Sequence, residues 1–209
     1  MKLNKPDIEN LERRYRGNFI NSLAGYKQAF LIGTQSVNGF QNLAIFNSLI
    51  HIGANPALYG VLFRPDTVPR DTLKNIIETG FYTFNFVETK DWEKAHQTSA
   101  KYETSVSEFE AVGFQAKVSD SFFAPFVKES PIKIGLKFES KIEIPQNGTI
   151  LVIGSIETIE LAENLVSADG FVDLEKANVL GCIGLDAYFE PKTIGRLSYA
   201  KMDNWPEKI

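Results

Sequence analysis

The chain has 209 residues, of which 44% are hydrophobic and 23% charged, and its formal net charge is -4. This is an ordinary globular composition, and the acidic balance gives no basic surface for nucleic acid. The single cysteine, Cys182, excludes an internal disulfide and a multi-cysteine metal site, and two distant histidines offer no metal-ligand spacing. The start of the chain lacks an apolar signal core and no apolar run is long enough to span a bilayer, so we expect a cytoplasmic protein without a membrane partner.

The 16 phenylalanines indicate a β-rich core, because aromatic side chains suit pleated surfaces. Residues 1–25 are polar and mixed, and we expect a short helix or an extended arm there, with a tail at residues 190–209. Strands are predicted over residues 29–37, 41–48, 57–63, 81–87, 114–118, 132–144, 149–161 and 179–189. Helices are predicted over residues 71–79, 89–102, 105–112 (with Ser105 and Glu108 as a capping box) and 169–177.

The Asn-Gly pair at residues 38–39 is typical of a two-residue β-hairpin turn, and the Asn-Gly pair at residues 147–148 predicts a second hairpin. A further turn is predicted at residues 53–56, whereas residues 119–131 are predicted to be irregular. Within that irregular segment, the apolar cluster at residues 122–126 is predicted to be either a lid over a pocket or a subunit contact. A set of roughly six to eight strands with hairpin turns favours an antiparallel barrel over a parallel α/β sheet.

Residues 61–80 form a strand, a loop and a short amphipathic helix in the prediction. Pro65 and Pro69 stiffen the loop because each fixes φ and removes a backbone donor. Asp71 or Thr72 is the predicted N-cap of the helix and Gly80 the predicted stop. The predicted apolar face of this helix consists of Leu73, Ile76 and Ile77.

The start of this helix is a candidate anion site. Free amides at a helix N-terminus attract negative charge. Arg70 can fork onto phosphate oxygens, and the Thr72 hydroxyl is a further donor. The alternative is an ordinary capped helix after an ordinary turn, and the segment alone does not decide between the two.

An ordered series of short motifs extends this pattern over about residues 25–200. The motifs are residues 42–48 (Asn-Leu-Ala-Ile-Phe-Asn-Ser), 70–76, 80–85, 95–99 (Ala-His-Gln-Thr-Ser), 107–109, 113–114, 124–125, 129–131, 153–156 and 196–199. The series resembles the flavin reductase-like family of FMN-binding split barrels, which includes flavoredoxin. The resemblance implies a mainly β, six-stranded antiparallel split β-barrel with peripheral helices, in one domain over residues 1–209. It also implies a homodimer with FMN near the subunit interface.

The resemblance further implies which residues bind the cofactor. Residues 42–48 would contact the flavin ring and ribityl chain, partly through backbone groups, and the segment from Arg70 would hold the phosphate. Many relatives have lysine at this position, but arginine keeps the charge and adds a bidentate fork. Residues 95–102 would complete the site, from the same subunit or its partner. The candidates are Asn42, Leu43, Ala44, Ile45, Phe46, Asn47, Ser48, Arg70, Asp71, Thr72, Asn75, His96, Thr98 and Ser99.

No side chain is predicted to be catalytic and none to bind a metal, because a flavin accepts hydride itself and the protein positions it. His96 is a candidate to touch flavin or nicotinamide, whereas His51 is predicted to be a satisfied strand histidine. Cys182 is predicted to be a small buried hydrophobic residue.

The implied function is a flavin reductase that transfers hydride from NADH or NADPH to FMN. Two alternatives stay open: a non-enzymatic FMN electron carrier of the flavoredoxin kind, and a flavin-free split-barrel dimer that binds another ligand. The implied partners are a second copy of the chain, flavin and nicotinamide, and a monooxygenase or other redox protein.

Overall fold

A seven-stranded antiparallel sheet forms the centre of the computed structural model, which describes residues 1–67 and 70–209. Pro69, the second proline predicted to stiffen the loop, lies outside the described residues. The strands are β1 (Tyr26–Gln28), β2 (Phe30–Gln35), β3 (Gln41–Phe46), β4 (Leu49–Ala54), β5 (Ala57–Phe63), β6 (Phe81–Phe86), β7 (Ala116–Ser119), β8 (Phe122–Val127), β9 (Ile132–Ile144), β10 (Thr149–Leu161), β11 (Gly181–Ile183) and β12 (Ala187–Phe189). The helices are α1 (Lys5–Glu9), α2 (Arg13–Leu23), α3 (Asp71–Thr79), α4 (Trp92–Gln97) and α5 (Glu108–Val112), with short 3-10 turns at Thr89–Asp91 and Glu163–Leu165.

The strand order in the large sheet is β3-β2-β6-β9-β10-β5-β4. The predicted mainly β fold is confirmed, but the prediction of six strands is wrong because this sheet has seven. The strand that the sequence pattern missed is β4, which lies at the edge of the sheet and has mostly exposed residues. An edge strand that packs little against the core needs no continuous apolar pattern, so its sequence resembles a loop.

The main core combines aliphatic and aromatic side chains, and five of its 17 buried residues are aromatic. Phe30, Phe84 and Tyr82 are fully buried on adjacent strands of the large sheet, and the rings of Phe30 and Phe84 lie 4.7 Å apart. Helix α3 covers this core with Leu73 and Ile76. The bounds predicted for α3 are confirmed, but its predicted apolar face is wrong at Ile77, which is 44% exposed.

The two Asn-Gly hairpins are confirmed, but the two-residue turn predicted at residues 38–39 is wrong. Residues 36–40 connect β2 to β3, and residues 145–148 connect β9 to β10. Gly39 and Gly148 have φ values of 86° and 72°, whereas the preceding asparagines are not in the positive-φ region. A two-residue type I′ turn needs positive φ at both central positions, so the chain uses longer loops.

The segment predicted to be irregular contains β8, which pairs antiparallel with β7. Buried polar side chains of β6 bind the backbone of β8. The Thr83 hydroxyl donates to the carbonyl oxygen of Pro125 (2.7 Å), and the amide of Val127 donates to Asn85 Oδ1 (2.8 Å). Phe122 and Phe126 are buried within the chain itself. Most of the cluster at residues 122–126 therefore packs inside the chain instead of forming the predicted lid, whereas a subunit contact through the exposed Phe123 stays a prediction.

Three predicted helices differ from the observed ones. The helix predicted over 89–102 ends at Gln97, where the Thr98 hydroxyl bonds the Ala95 carbonyl oxygen and competes with a further turn. The helix predicted from Ser105 starts at Glu108 without the capping box, because the Glu108 carboxylate binds another backbone amide. Residues 169–177 form turns instead of a helix.

The strand predicted over residues 179–189 is a hairpin of β11 and β12, because the chain turns at Gly184, whose φ is 63°. This hairpin and β1 form a three-stranded sheet in the order β1-β11-β12. Helices α1 and α2 occupy the predicted N-terminal arm, and none of their residues is buried in this chain. Among the described helices, none combines the length and apolar character needed to cross a membrane.

Candidate functional site

A cavity of about 430 Å³ lies where β3, α4 and the β11–β12 hairpin meet. Small-molecule sites commonly have volumes of about 300–1,000 Å³, so the cavity can hold part or all of an organic ligand. Five predicted cofactor-binding residues from two separate segments line it, namely Ile45, Phe46, Asn47, His96 and Ser99. The remaining lining residues are Ala29, Arg64, Cys182, Leu185, Asp186 and Tyr188.

One wall of the cavity is the free edge of β3, which pairs with β2 on its other side. The N–H of Leu43 donates to Glu108 Oε2 at 2.9 Å, so at this residue the backbone points away from β2. Backbone direction alternates along a strand, so the N–H and C=O of Ile45 also point away from β2. Unpaired edge groups of this kind can hydrogen-bond the polar rim of a ligand.

The side chain of His96 meets that of Tyr188 at the cavity. Nδ1 of His96 lies 2.8 Å from the Tyr188 hydroxyl oxygen, and the two rings are perpendicular, with centroids 5.7 Å apart. Burial raises the pKa of Tyr188 to about 12, and nearby Cys182 and Asp186 contribute. By contrast, His51 lies on a strand, which confirms that part of its prediction, but its ring is exposed and packs edge-on against Tyr59 instead of being satisfied in the interior.

Asn47 ties the end of β3 to the β11–β12 turn, because its Nδ2 donates to the carbonyl oxygen of Gly184 at 2.9 Å. Cys182 lines the same part of the cavity and is 2% exposed, which confirms the prediction of a buried residue. Burial raises the pKa of the Cys182 thiol. The thiol is therefore protonated at neutral pH and does not supply a nucleophile.

The start of α3 has no side-chain cap, so the prediction of Asp71 or Thr72 as N-cap is wrong. Arg70 occupies the N-cap position with an extended backbone, and its side chain makes no cap hydrogen bond to the first helical amides. Nε of Arg70 donates to the carbonyl oxygen of Pro65 at 3.2 Å. Since Pro65 follows Arg64 directly, the guanidinium of Arg70 is anchored beside a residue that lines the cavity.

Three of the predicted site residues belong to a hydrogen-bonded cluster behind this helix start. Nδ2 of Asn42 donates to the hydroxyls of Thr34 (3.2 Å) and Thr72 (2.9 Å), and Nδ2 of Asn75 donates to Thr34 (3.1 Å). Thr72 and Asn75 are 6% and 3% exposed. In this arrangement the side chains of Asn42, Thr72 and Asn75 dock α3 on β2 and β3, and they do not line the cavity.

The other predicted residues also lie off the cavity lining. Asp71 accepts a hydrogen bond from the Thr104 hydroxyl (3.3 Å), and the Ser48 hydroxyl donates to the Leu62 carbonyl oxygen (2.9 Å). Leu43 and Thr98 are buried, and Ala44 is half-buried on β3. An Asp71 carboxylate beside a phosphate would repel it, so this residue can serve an anion only through its backbone amide.

Sequence reasoning missed six lining residues, namely Ala29, Arg64, Cys182, Leu185, Asp186 and Tyr188. For Arg64 a signal existed, because it follows a predicted strand directly and precedes Pro65. Leu185, Asp186 and Tyr188 fall within the segment predicted as one strand, and the turn at Gly184 that brings them to the cavity follows only from the hairpin.

Replacing Glu108 with glutamine is expected to flatten part of the pH dependence of stability. Burial raises the pKa of Glu108, so the folded state binds its proton more tightly than the unfolded state does. Wild-type stability therefore falls as pH rises through the interval above 4.5, the ordinary value. Urea unfolding should show the stability of Glu108→Gln relative to wild type increasing from pH 4.5 to pH 7. A difference that is independent of pH would contradict the assignment.

Residues 26–175 match the family model of the flavin reductase like domain. A provisionally assigned flavin reductase with a split barrel domain from Shewanella frigidimarina NCIMB 400 is 46% identical to this chain. Its crystal structure superposes with a TM-score of 0.92, covering 96% of this chain and 100% of that one.

Two more distant structures share the fold. Nitrilotriacetate monooxygenase component B from Bacillus cereus is 19% identical, with a TM-score of 0.83 over 94% of this chain and 98% of that one. Flavoredoxin of Desulfovibrio vulgaris (Miyazaki F) is 21% identical, with a TM-score of 0.72 over 97% of each chain. At these identities the likeness concerns the fold alone.

Proposed function

We propose that this chain, which belongs to the flavin reductase-like domain family, binds FMN in the cavity beside β3 and transfers hydride to it from NADH or NADPH. The observation that carries the proposal is the meeting of two separate predicted segments, residues 45–47 and residues 96–99, at one cavity. The similarity to the Shewanella frigidimarina protein favours reductase chemistry.

The cavity lining suits a flavin ring, which is a flat apolar body with a polar rim. Ile45, Phe46 and Leu185 offer apolar surface, and the edge backbone of Ile45 and the His96 imidazole offer polar groups for the rim. When bound, FMN would supply the hydride-accepting centre, and these residues would orient it.

We place the phosphate of FMN near Arg64 and the start of α3. Arg64 lines the cavity, Arg70 is anchored beside it, and the first amides of α3 have no side-chain cap. Amides at a helix start favour an anion, and the arginine fork matches phosphate oxygens. Both donors lie on the chain segment that leaves the ring cavity, which supports a single ligand with its ring in the cavity and its phosphate at the helix start.

The test is the visible spectrum of the purified protein, recorded before and after adding FMN and then a reduced nicotinamide. We expect FMN to bind with a perturbed spectrum and the bound flavin to bleach when NADH or NADPH is added. A protein that takes up no flavin in the titration would remove the proposal.

The electron-carrier alternative is favoured by the shared fold with flavoredoxin. Steady-state oxidation of the nicotinamide with excess free flavin separates the two functions. A reductase turns over with free flavin as the acceptor, whereas a carrier stops after one equivalent unless a partner protein accepts the electrons.

We further propose that the chain forms a homodimer through β4. Ile50 and Ile52 lie on the same face of this edge strand and are 39% and 41% exposed, and an apolar strand edge is a template for pairing. Ile52→Asp is expected to shift the protein to the monomer in size-exclusion chromatography with light scattering. The matched control is Ile159→Asp on β10, where a 53% exposed isoleucine is replaced in the same way. A dimer that survives the β4 change would overturn the placement.

A further inference from the structure

The hydrogen bond between His96 and Tyr188 has a consequence for the protonation of the imidazole. A neutral imidazole carries one proton, on either Nδ1 or Nε2, and a partner at one nitrogen decides what the other nitrogen offers. Here Nδ1 lies 2.8 Å from the Tyr188 hydroxyl oxygen, and the ring borders the cavity. Nε2 is thus the nitrogen left for a ligand.

We propose that Tyr188 is a positioning residue: its hydroxyl donates to Nδ1 of His96 and so keeps the proton on Nε2, which then donates to a flavin bound in the cavity. This inference rests on the proposed function and goes beyond it by assigning a role to a residue that no family motif or sequence pattern identified.

The phenol is the donor in this pair because of the partners within its reach. Burial raises its pKa to about 12, so the hydroxyl has a proton to donate at neutral pH. Among the described residues, Nδ1 of His96 is the one group within hydrogen-bonding distance of that hydroxyl. If the imidazole donated instead, the half-buried phenol proton would have no acceptor on the protein, which costs free energy.

The position of Tyr188 is fixed by its surroundings. It lies on β12 in register with Cys182 of β11, and its ring packs against Trp92 with centroids 5.7 Å apart. His96 is held in the last turn of α4. Because both residues belong to regular elements, neither ring has to move for the hydrogen bond to form. The hydrogen bond can therefore select one tautomer of His96.

The first test is the tautomer itself, read from long-range proton–nitrogen NMR correlations of the imidazoles in flavin-free protein. The chain has two histidines, so the assignment needs only one histidine variant. We expect the Nε2–H form at His96 in the wild type and a mixture of both forms in Tyr188→Phe. The matched control is Tyr59→Phe, which changes the tyrosine that packs on His51 and should leave the His96 signals unchanged. A wild-type His96 protonated at Nδ1, or a Tyr188→Phe spectrum identical to wild type at His96, would overturn the proposal.

The second test asks whether the tautomer matters for the ligand. Tyr188→Phe is expected to weaken FMN binding about five- to tenfold, the scale of one hydrogen bond. In the His96→Gln background, where the amide N–H₂ replaces the Nε2 donor and has no tautomer, the same change should have no further effect. An equal loss in both backgrounds would assign Tyr188 a merely structural role. If FMN does not bind at all, the proposed function fails, and the NMR result still decides the pairing of Tyr188 with His96.

Discussion

Replacing Arg70 with alanine is expected to weaken FMN binding by about 1.5–3 kcal/mol, the scale of hydrogen bonds to a charged group. This corresponds to roughly a tenfold to hundredfold rise in Kd. The physical reason is that Arg70 combines a guanidinium anchored on the Pro65 carbonyl with the N-cap position of α3, whose first amides have no side-chain cap. Charge and amide dipoles therefore point to the same anion.

Riboflavin, which lacks the phosphate, separates this role from a general disturbance of the loop. Arg70→Ala should leave riboflavin affinity within about twofold of wild type, and Arg70→Lys should recover part of the FMN affinity because it keeps the charge without the fork. Lys74→Ala is the matched control, since it removes one positive charge from an exposed position of the same helix. Equal losses of FMN and riboflavin affinity would place the phosphate elsewhere.

The sequence predicted the parts of the fold that carry strong local patterns. The bounds of β5, β9, β10 and α3 agree with prediction, because long apolar runs and a glycine stop at Gly80 are local signals. β4 and β8 were missed for the opposite reason. β4 is an exposed edge, and β8 is held in place by Thr83 and Asn85, which are about 40 residues away.

In the candidate site, too, the residues that the sequence predicted lie in local motifs, and the residues that it missed depend on distant contacts. Ile45, Phe46, Asn47 and His96 belong to motifs that resemble a known family, and the fold brings them to one cavity. Tyr188 reaches His96 across 92 residues, and its place depends on a turn within what looks like one strand. Motif spacing along the chain carries no information about such a contact.

The same motifs do not distinguish residues that touch a ligand from residues that support those that do. Asn42, Thr72 and Asn75 belong to the matching segments, yet their side chains bond inside the protein. Asn42 donates directly to Thr72, and Asn42 and Asn75 both donate to Thr34. Buried polar groups need hydrogen-bond partners, and this cluster meets that need while docking α3 on the sheet. A motif can therefore identify the right region while the roles of its members follow only from packing.

Replacing Gly33 with alanine is expected to destabilise the protein by about 3 kcal/mol, the upper range for overpacking a core. Gly33 lies in β2 between Leu43 of β3 and Thr83 of β6. A Cβ there would overlap the Pro125 carbonyl oxygen and lie 2.6 Å from Thr83 Oγ1. The hydroxyl of Thr83 would lose its bond to Pro125, leaving a buried polar group unsatisfied. In a chain of this size the melting temperature should fall by about 6–12 °C.

Gly17→Ala is the matched control for this change, because both variants add one methyl group at a glycine. Gly17 lies inside α2, and apart from its chain neighbours and the backbone of its own helix, no atom of the described residues lies within 4 Å of the position that its Cβ would take. Since alanine is preferred over glycine in helices by up to about 1 kcal/mol, this variant should melt at or slightly above the wild-type temperature. Gly33→Ala should lower the melting temperature and Gly17→Ala should not, because, of the two glycines, only Gly33 lies where β8 approaches β2 closely. If Gly33→Ala had the wild-type melting temperature, β8 would not pack against β2 as described. In that case the buried hydrogen bond from Thr83 to Pro125 could not be the contact that orders residues 122–127.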